Sequence, residues 1–147
     1  MIAVACDHGG LELKKVIIRH LEEKGYEVKD FGTDSEASCD YPDFAGPAAE
    51  AVAAQEAEKG IVICTTGIGV SITANKIPGI RCALCHDVTT ARLTRQHNDA
   101  NVLALGAGVI GENVAIDVTD TFLETPFSEG ERHKRRIAKI AEYEKKR

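Results

Sequence analysis

The stretch GIVICTTGIGVS, residues 60–71, decides how the rest of the chain is read. Three β-branched residues, Ile61 to Ile63, lead to Cys64, and two threonines then give way to Gly67 and Gly69. A short unbroken apolar run closed by a glycine turn reads as a strand buried on both faces, here 61–65. The residues after it, 70–76, read as a short helix stopped by Pro78. The motif is strand, glycine loop, helix, with a thiol where the strand ends.

The same alternation extends outward in both directions. Before the stretch, 2–6 and 26–32 read as strands. The helix between them, 11–25, has an apolar stripe of Leu11, Leu13, Val16, Ile17 and Leu21 and ends on Gly25. An alanine-rich segment, 44–60, reads as a second helix ending in Lys-Gly. After the stretch, 80–85 and 101–106 read as strands. Helices are expected over 87–98, with Asp87 as N-cap, over 113–125, stopped by Pro126, and over the charged C-terminal segment 130–147. Five apolar strands alternating with helices predict a parallel sheet covered on both sides. The expected fold is a three-layer αβα, Rossmann-like domain spanning 1–147, with the last helix as an addition.

Composition narrows the function classes. Apolar residues make up 44% and charged residues 28% of the 147, with a net charge of −5 and no Trp. That balance argues against nucleic acid as a partner. No apolar stretch reaches the ~20 residues of a membrane span. The N-terminal MIAVACDHGG has neither a basic segment nor a cleavage site, so no signal peptide is expected. Five cysteines without framework spacing read as reduced thiols of a cytoplasmic protein.

Ligands of open parallel sheets sit at the carboxyl ends of the strands. Those positions here are Asp7-His8-Gly9-Gly10, Gly32-Thr33-Asp34, Cys64-Thr65-Thr66-Gly67, His86-Asp87 and Gly106-Ala107-Gly108. The 64–71 loop is not a P-loop, and Ile72 stands where a dinucleotide fingerprint needs its third glycine. It reads either as a tight turn or as a ring of N–H groups for an anion. Cys64 is either a core thiol or, beside a helix N-terminus, a nucleophile or base. Val70 replaces the arginine that a C-x5-R phosphatase loop requires. The CALC of 82–85 is no redox pair, because residues three apart on a strand face opposite ways. Arg132 and Arg136 share a helix face, as a solvated basic surface or as a phosphate clamp. No spacing of His and Cys suggests a metal site.

Five segments in order, ACDHGG (5–10), DYPDFA (40–45), CTTGIGVSITANK (64–76), RQHND (95–99) and GERHKRR (130–136), resemble the type B ribose-5-phosphate isomerase family. That family also includes galactose-6-phosphate isomerase subunits and allose-6-phosphate isomerases. The resemblance implies an aldose–ketose isomerase, working without metal or cofactor through a cis-enediolate on a small phosphorylated sugar. It makes Cys64 the base. Thr66, Gly67, Gly69 and Ser71 become the loop over the enediolate. His97 becomes the ring-opening residue, with Asn98 beside it. Asp7 and Tyr41 match residues that hold sugar hydroxyls, and His8, Arg132 and Arg136 match the phosphate clamp. It also implies a homodimer, or a tetramer built from it, with the His-Asn pair supplied by the neighbouring chain. One departure stands out: many members carry arginine where this chain has Gly108. Competing classes are a non-catalytic sugar-phosphate sensor and a thiol enzyme that attacks its substrate covalently.

Overall fold

The computed structural model describes residues 1–146. Strands β1 (Ile2–Cys6), β2 (Val28–Asp30), β3 (Lys59–Cys64), β4 (Cys82–Leu84) and β5 (Val102–Gly106) form one sheet in the order β2-β1-β3-β5-β4. Every neighbouring pair is parallel. The helices are α1 (Leu11–Glu23), α2 (Pro42–Ala53), α3 (Ile68–Asn75), α4 (Val88–Leu93), α5 (Glu112–Glu124) and α6 (Glu131–Glu144). The expected αβα architecture is present, and Arg147 of the expected last helix lies outside the described residues.

The three central strands are apolar on both faces, and the two faces differ in size. Ile2, Val4, Cys6, Ile61, Ile63, Leu103 and Leu105 point to one side, against α1 and α5. Ala3, Ala5, Val62, Cys64, Val102 and Ala104 point to the other. The small residues there admit α2 through Ala45, Ala48, Ala49 and Val52, and α3 through Val70 and Ala74. Period-two alternation therefore places Cys64 on the same side of the sheet as the helix that follows it. Cys82 and Cys85 divide between the two sides, as their spacing on a strand requires.

Several bounds differ from the sequence reading. The second strand keeps three residues of the seven expected in regular register with β1, Val28 to Asp30; Phe31 and Gly32 still hydrogen-bond to Val4 and Cys6, but Gly32 turns left-handed (φ 95°). The alanine-rich helix ends at Ala53, where Gln55 turns left-handed (φ 62°), and Gly60 lies inside β3 instead of capping the helix. The fourth helix changes pitch: after α4 the chain makes a π-helical turn, Thr94–Asn98. Asp87 does cap α4, accepting the Thr90 N–H at 2.7 Å. No helix among the described residues is long and apolar enough to cross a membrane.

Candidate active site

The sheet order reverses between β1 and β3, with β2 outside the first and β5 and β4 outside the second. At such a switch point, loops leave neighbouring strands in opposite directions and open a crevice. A cavity of about 410 Å³ lies there, lined by Asp7 from the end of β1, Cys64 and Thr66 from the end of β3, and Tyr41 and Gly69. Ile68 and Ile72, on α3, give it an apolar wall.

The loop is built around the sulfur. Cys64 is buried, and its Sγ accepts the Gly67 N–H at 3.1 Å. Gly67 is left-handed (φ 78°), and a Cβ there would strike the Leu84 side chain and the Leu105 backbone. Thr66 Oγ1 accepts the Ile68 N–H at 3.2 Å, closing the loop onto α3. Gly69 is glycine for a different reason. A Cβ there would stand 2.6 Å from Cζ of Tyr41, so the tyrosine ring covers the backbone of the loop directly. Asp7 is buried, and its Oδ1 accepts the Gly9 N–H at 2.9 Å.

The remaining expected residues fall into three places. Ser71 does not reach the cavity with its hydroxyl, which donates to the Ile68 carbonyl at 2.8 Å within its own helix. His8 is exposed and does not line the cavity, and its Nδ1 accepts the Cys39 N–H at 3.3 Å with the Cys39 thiol 3.7 Å away. His97 stacks on His133, ring centroids 4.5 Å apart. The positive charges of His97, Arg132 and Arg136 add to burial in holding the His133 pKa below the ordinary histidine value. His97, Arg132 and Arg136 thus form a basic cluster with His133, and none of the four lines the Cys64 cavity. Asn98 borders a separate cavity of about 490 Å³ with Ile140 and Tyr143 of α6.

Three residues near these groups were not singled out by the sequence reading. Cys39 sat there as a structural thiol, and His133 as one more residue of a charge run. Arg95 left a signal: its spacing of four from Asp99 fits the ion pair they form at 2.8 Å. Burial pushes Cys6 up to about 11 and raises Cys82 and Cys85 as well.

The model of the ribose/galactose isomerase family matches residues 2–140. The chain belongs to this family. Ribose-5-phosphate isomerase B of Escherichia coli is 47% identical over 146 residues, covering 99% of this chain and 97% of that one. Among solved structures, a Clostridium thermocellum ribose-5-phosphate isomerase B is 53% identical. It superposes with a TM-score of 0.97 over 99% of this chain and 97% of its own. A Mycoplasma genitalium ribose-5-phosphate isomerase B with bound ribulose 5-phosphate has a TM-score of 0.94 at 44% identity, covering 99% and 97%. Family membership makes the chain an aldose–ketose isomerase, and the likeness extends over the whole αβα domain, α6 included.

Gly108, where the resemblance leads to an expectation of arginine, packs on the loop after β3. Its N–H donates to the Thr65 carbonyl at 2.8 Å, and a Cβ there would meet Thr65 Cγ2 at 2.9 Å. The loop after β5 is thereby drawn against the loop after β3.

Proposed function

We propose that the chain interconverts ribose 5-phosphate and ribulose 5-phosphate by proton transfer through a cis-enediolate, with Cys64 as the base. The observation that carries this reading is the seat of the Cys64 sulfur: at the switch point, facing a cavity, with a backbone N–H on it. Cys64 takes the proton from C2 of the open aldose and returns it at C1, while the O2 hydroxyl proton passes to O1, so that C2 becomes the carbonyl. Negative charge builds on the sugar oxygens between the two steps. Of the N–H groups at the start of α3, those of Gly67 and Ile68 are used inside the loop, which leaves that of Gly69, a residue lining the cavity, for the oxyanion. A positioned base contributes about 10²–10⁴ in rate and an oxyanion donor about 10²–10³. Asp7 and Tyr41 hold the hydroxyls. The step as written uses no metal or cofactor.

The other half of the site comes, in this reading, from a second copy of the chain. His97, Asn98, Arg132 and Arg136 lie outside the Cys64 cavity of their own chain. Exposed apolar side chains at the cavity wall and at the adjacent sheet edge, Ile68, Ile72, Leu84 and Val88, offer a face for that copy. In the homodimer His97 opens the sugar ring beside Asn98, and Arg132 and Arg136 meet His8 around the phosphate. The five free thiols suit a reducing cytoplasm, where we place the enzyme.

The test is kcat/KM over ribose 5-phosphate, allose 6-phosphate, galactose 6-phosphate and free ribose, with Cys64→Ala alongside. Ribose 5-phosphate is expected to lead, and Cys64→Ala to bind it without turnover. A hexose 6-phosphate in the lead reassigns the substrate, and near-normal kcat in Cys64→Ala removes the cysteine from the chemistry.

A further inference from the structure

The turn that carries His97 is an unusual helix end. Beyond α4 the chain widens into the π-helical Thr94–Asn98, and Asp99 then becomes left-handed (φ 46°, ψ 45°). Such a break leaves carbonyls pointing away from any helical donor. Two arginines take them up. Arg95 is buried; it donates to the Ala100 carbonyl at 2.6 Å, to Asp99 Oδ1 at 2.8 Å and to the Thr125 carbonyl at 3.0 Å. Arg81 arrives from just before β4. Its Nε donates to the Asn98 carbonyl at 2.8 Å and its Nη2 to the Asp99 carbonyl at 2.9 Å.

Arg81 is itself held at both ends. Its N–H donates to Asn101 Oδ1 at 2.9 Å, and the Asn101 N–H returns to the Arg81 carbonyl at 3.0 Å. The guanidinium therefore reaches the turn from a fixed base on the sheet. It grips the carbonyls of the two residues that follow His97, Asn98 and Asp99. A planar fork spanning two successive carbonyls fixes the direction of the turn in a way a lysine does not.

We propose that Arg81 is a positioning residue that aims His97 and Asn98 at the sugar. The inference rests on the ring-opening role proposed for His97. The Arg81 side chain is 26% exposed and does not lie over a core ring as Arg95 does over Phe122, so its replacement is expected to leave the fold standing.

The test uses two substrates and the full-length enzyme. Ribose 5-phosphate closes into a ring. An aldotetrose 4-phosphate cannot, because the hydroxyl that would close a five-membered ring is esterified. Arg81→Met is expected to lower kcat/KM on the pentose about ten- to hundredfold, as small misplacements of catalytic groups do, with the tetrose and Tm little changed. Arg81→Lys is expected to recover only part of the loss. His97→Ala is run beside them. If it fails to single out the pentose, ring opening is not the task of His97. If His97→Ala does and Arg81→Met does not, Arg81 has no positioning role. A readout independent of turnover is the NMR signal of the His97 ring, which Arg81→Met should shift while that of His20, bound to Asp120, stays in place. An unmoved His97 signal overturns the proposal.

Discussion

His97 and His133 lie face to face, ring centroids 4.5 Å apart and planes within 12° of parallel, although 36 positions separate them. The stack joins the π-helical turn after α4 to the first turn of α6, and it brings Arg132 and Arg136 of α6 close to the same rings. Two imidazoles in this arrangement cannot both be charged without repulsion.

The consequence is a pH dependence with a definite sign. Burial first, and then the charges of His97, Arg132 and Arg136, lower the His133 pKa in the folded protein. The folded state thus binds fewer protons than the unfolded one just below the ordinary histidine pKa of about 6.5. The docking of α6 is at full strength above that pH and weakens as pH falls toward the folded value. An NMR titration should place the His133 midpoint below about 6.5. Arg136→Ala, by removing one positive charge, should raise it. A midpoint at or above the ordinary value contradicts the argument.

Gly69→Ala sets two effects against each other. Alanine in place of glycine in a helix gains up to about 1 kcal/mol. The new Cβ also enters the Tyr41 ring, with Cε1 2.7 Å away. Tyr41 is 39% exposed and free to swing outward, so the fold is expected to survive with Tm unchanged or slightly raised. The displaced ring no longer covers the loop, and KM should rise several-fold. An unchanged KM means that Tyr41 does not hold the sugar. A large fall in Tm means that its ring is fixed more firmly than its exposure suggests.

Much of this was legible in the sequence, and the failures have physical causes. Central strands announce themselves because both faces are buried, so 2–6 was read without error. Edge strand β2 was overread because the alternation in YEVKDFG gives no sign that Gly32 turns left-handed and that regular register ends at Asp30. The 44–60 helix was overread because Ala and Glu favour helix throughout, and nothing about Gln55 marks it as left-handed. Gly60, taken for a cap, is instead a close-packing position between Val52 and Val102. That Asp7 and Cys64 border the cavity was legible because strand ends define the crevice. The π turn was not, since one added residue per turn leaves the polarity pattern of RQHND unaltered. Nor was His133, whose partner is brought in by tertiary packing alone.

Arg136→Ala is expected to raise KM for ribose 5-phosphate more than it lowers kcat. Phosphate is held much alike in ground and transition states, so its loss is mostly a loss of uniform binding. Free ribose supplies the control, because it has no phosphate to lose. Should free ribose suffer to the same extent, Arg136 supports the fold of α6 and not the phosphate.

The route of the hydrogen separates the proposed mechanism from the other way aldoses become ketoses. A hydride shift between C2 and C1 needs a divalent cation polarising both oxygens. Cys64 beside the Gly67 N–H suits a proton carrier instead. In deuterated water, ribulose 5-phosphate formed from ribose 5-phosphate should carry deuterium at C1, because a thiol exchanges its proton while the enediolate persists. Closure of the cavity by the proposed second chain would slow that exchange, so partial label is the expected result, and activity should survive a chelator. Full retention of the substrate hydrogen, with activity lost to a chelator and restored by a divalent cation, would exclude proton transfer and with it the role of Cys64 as base.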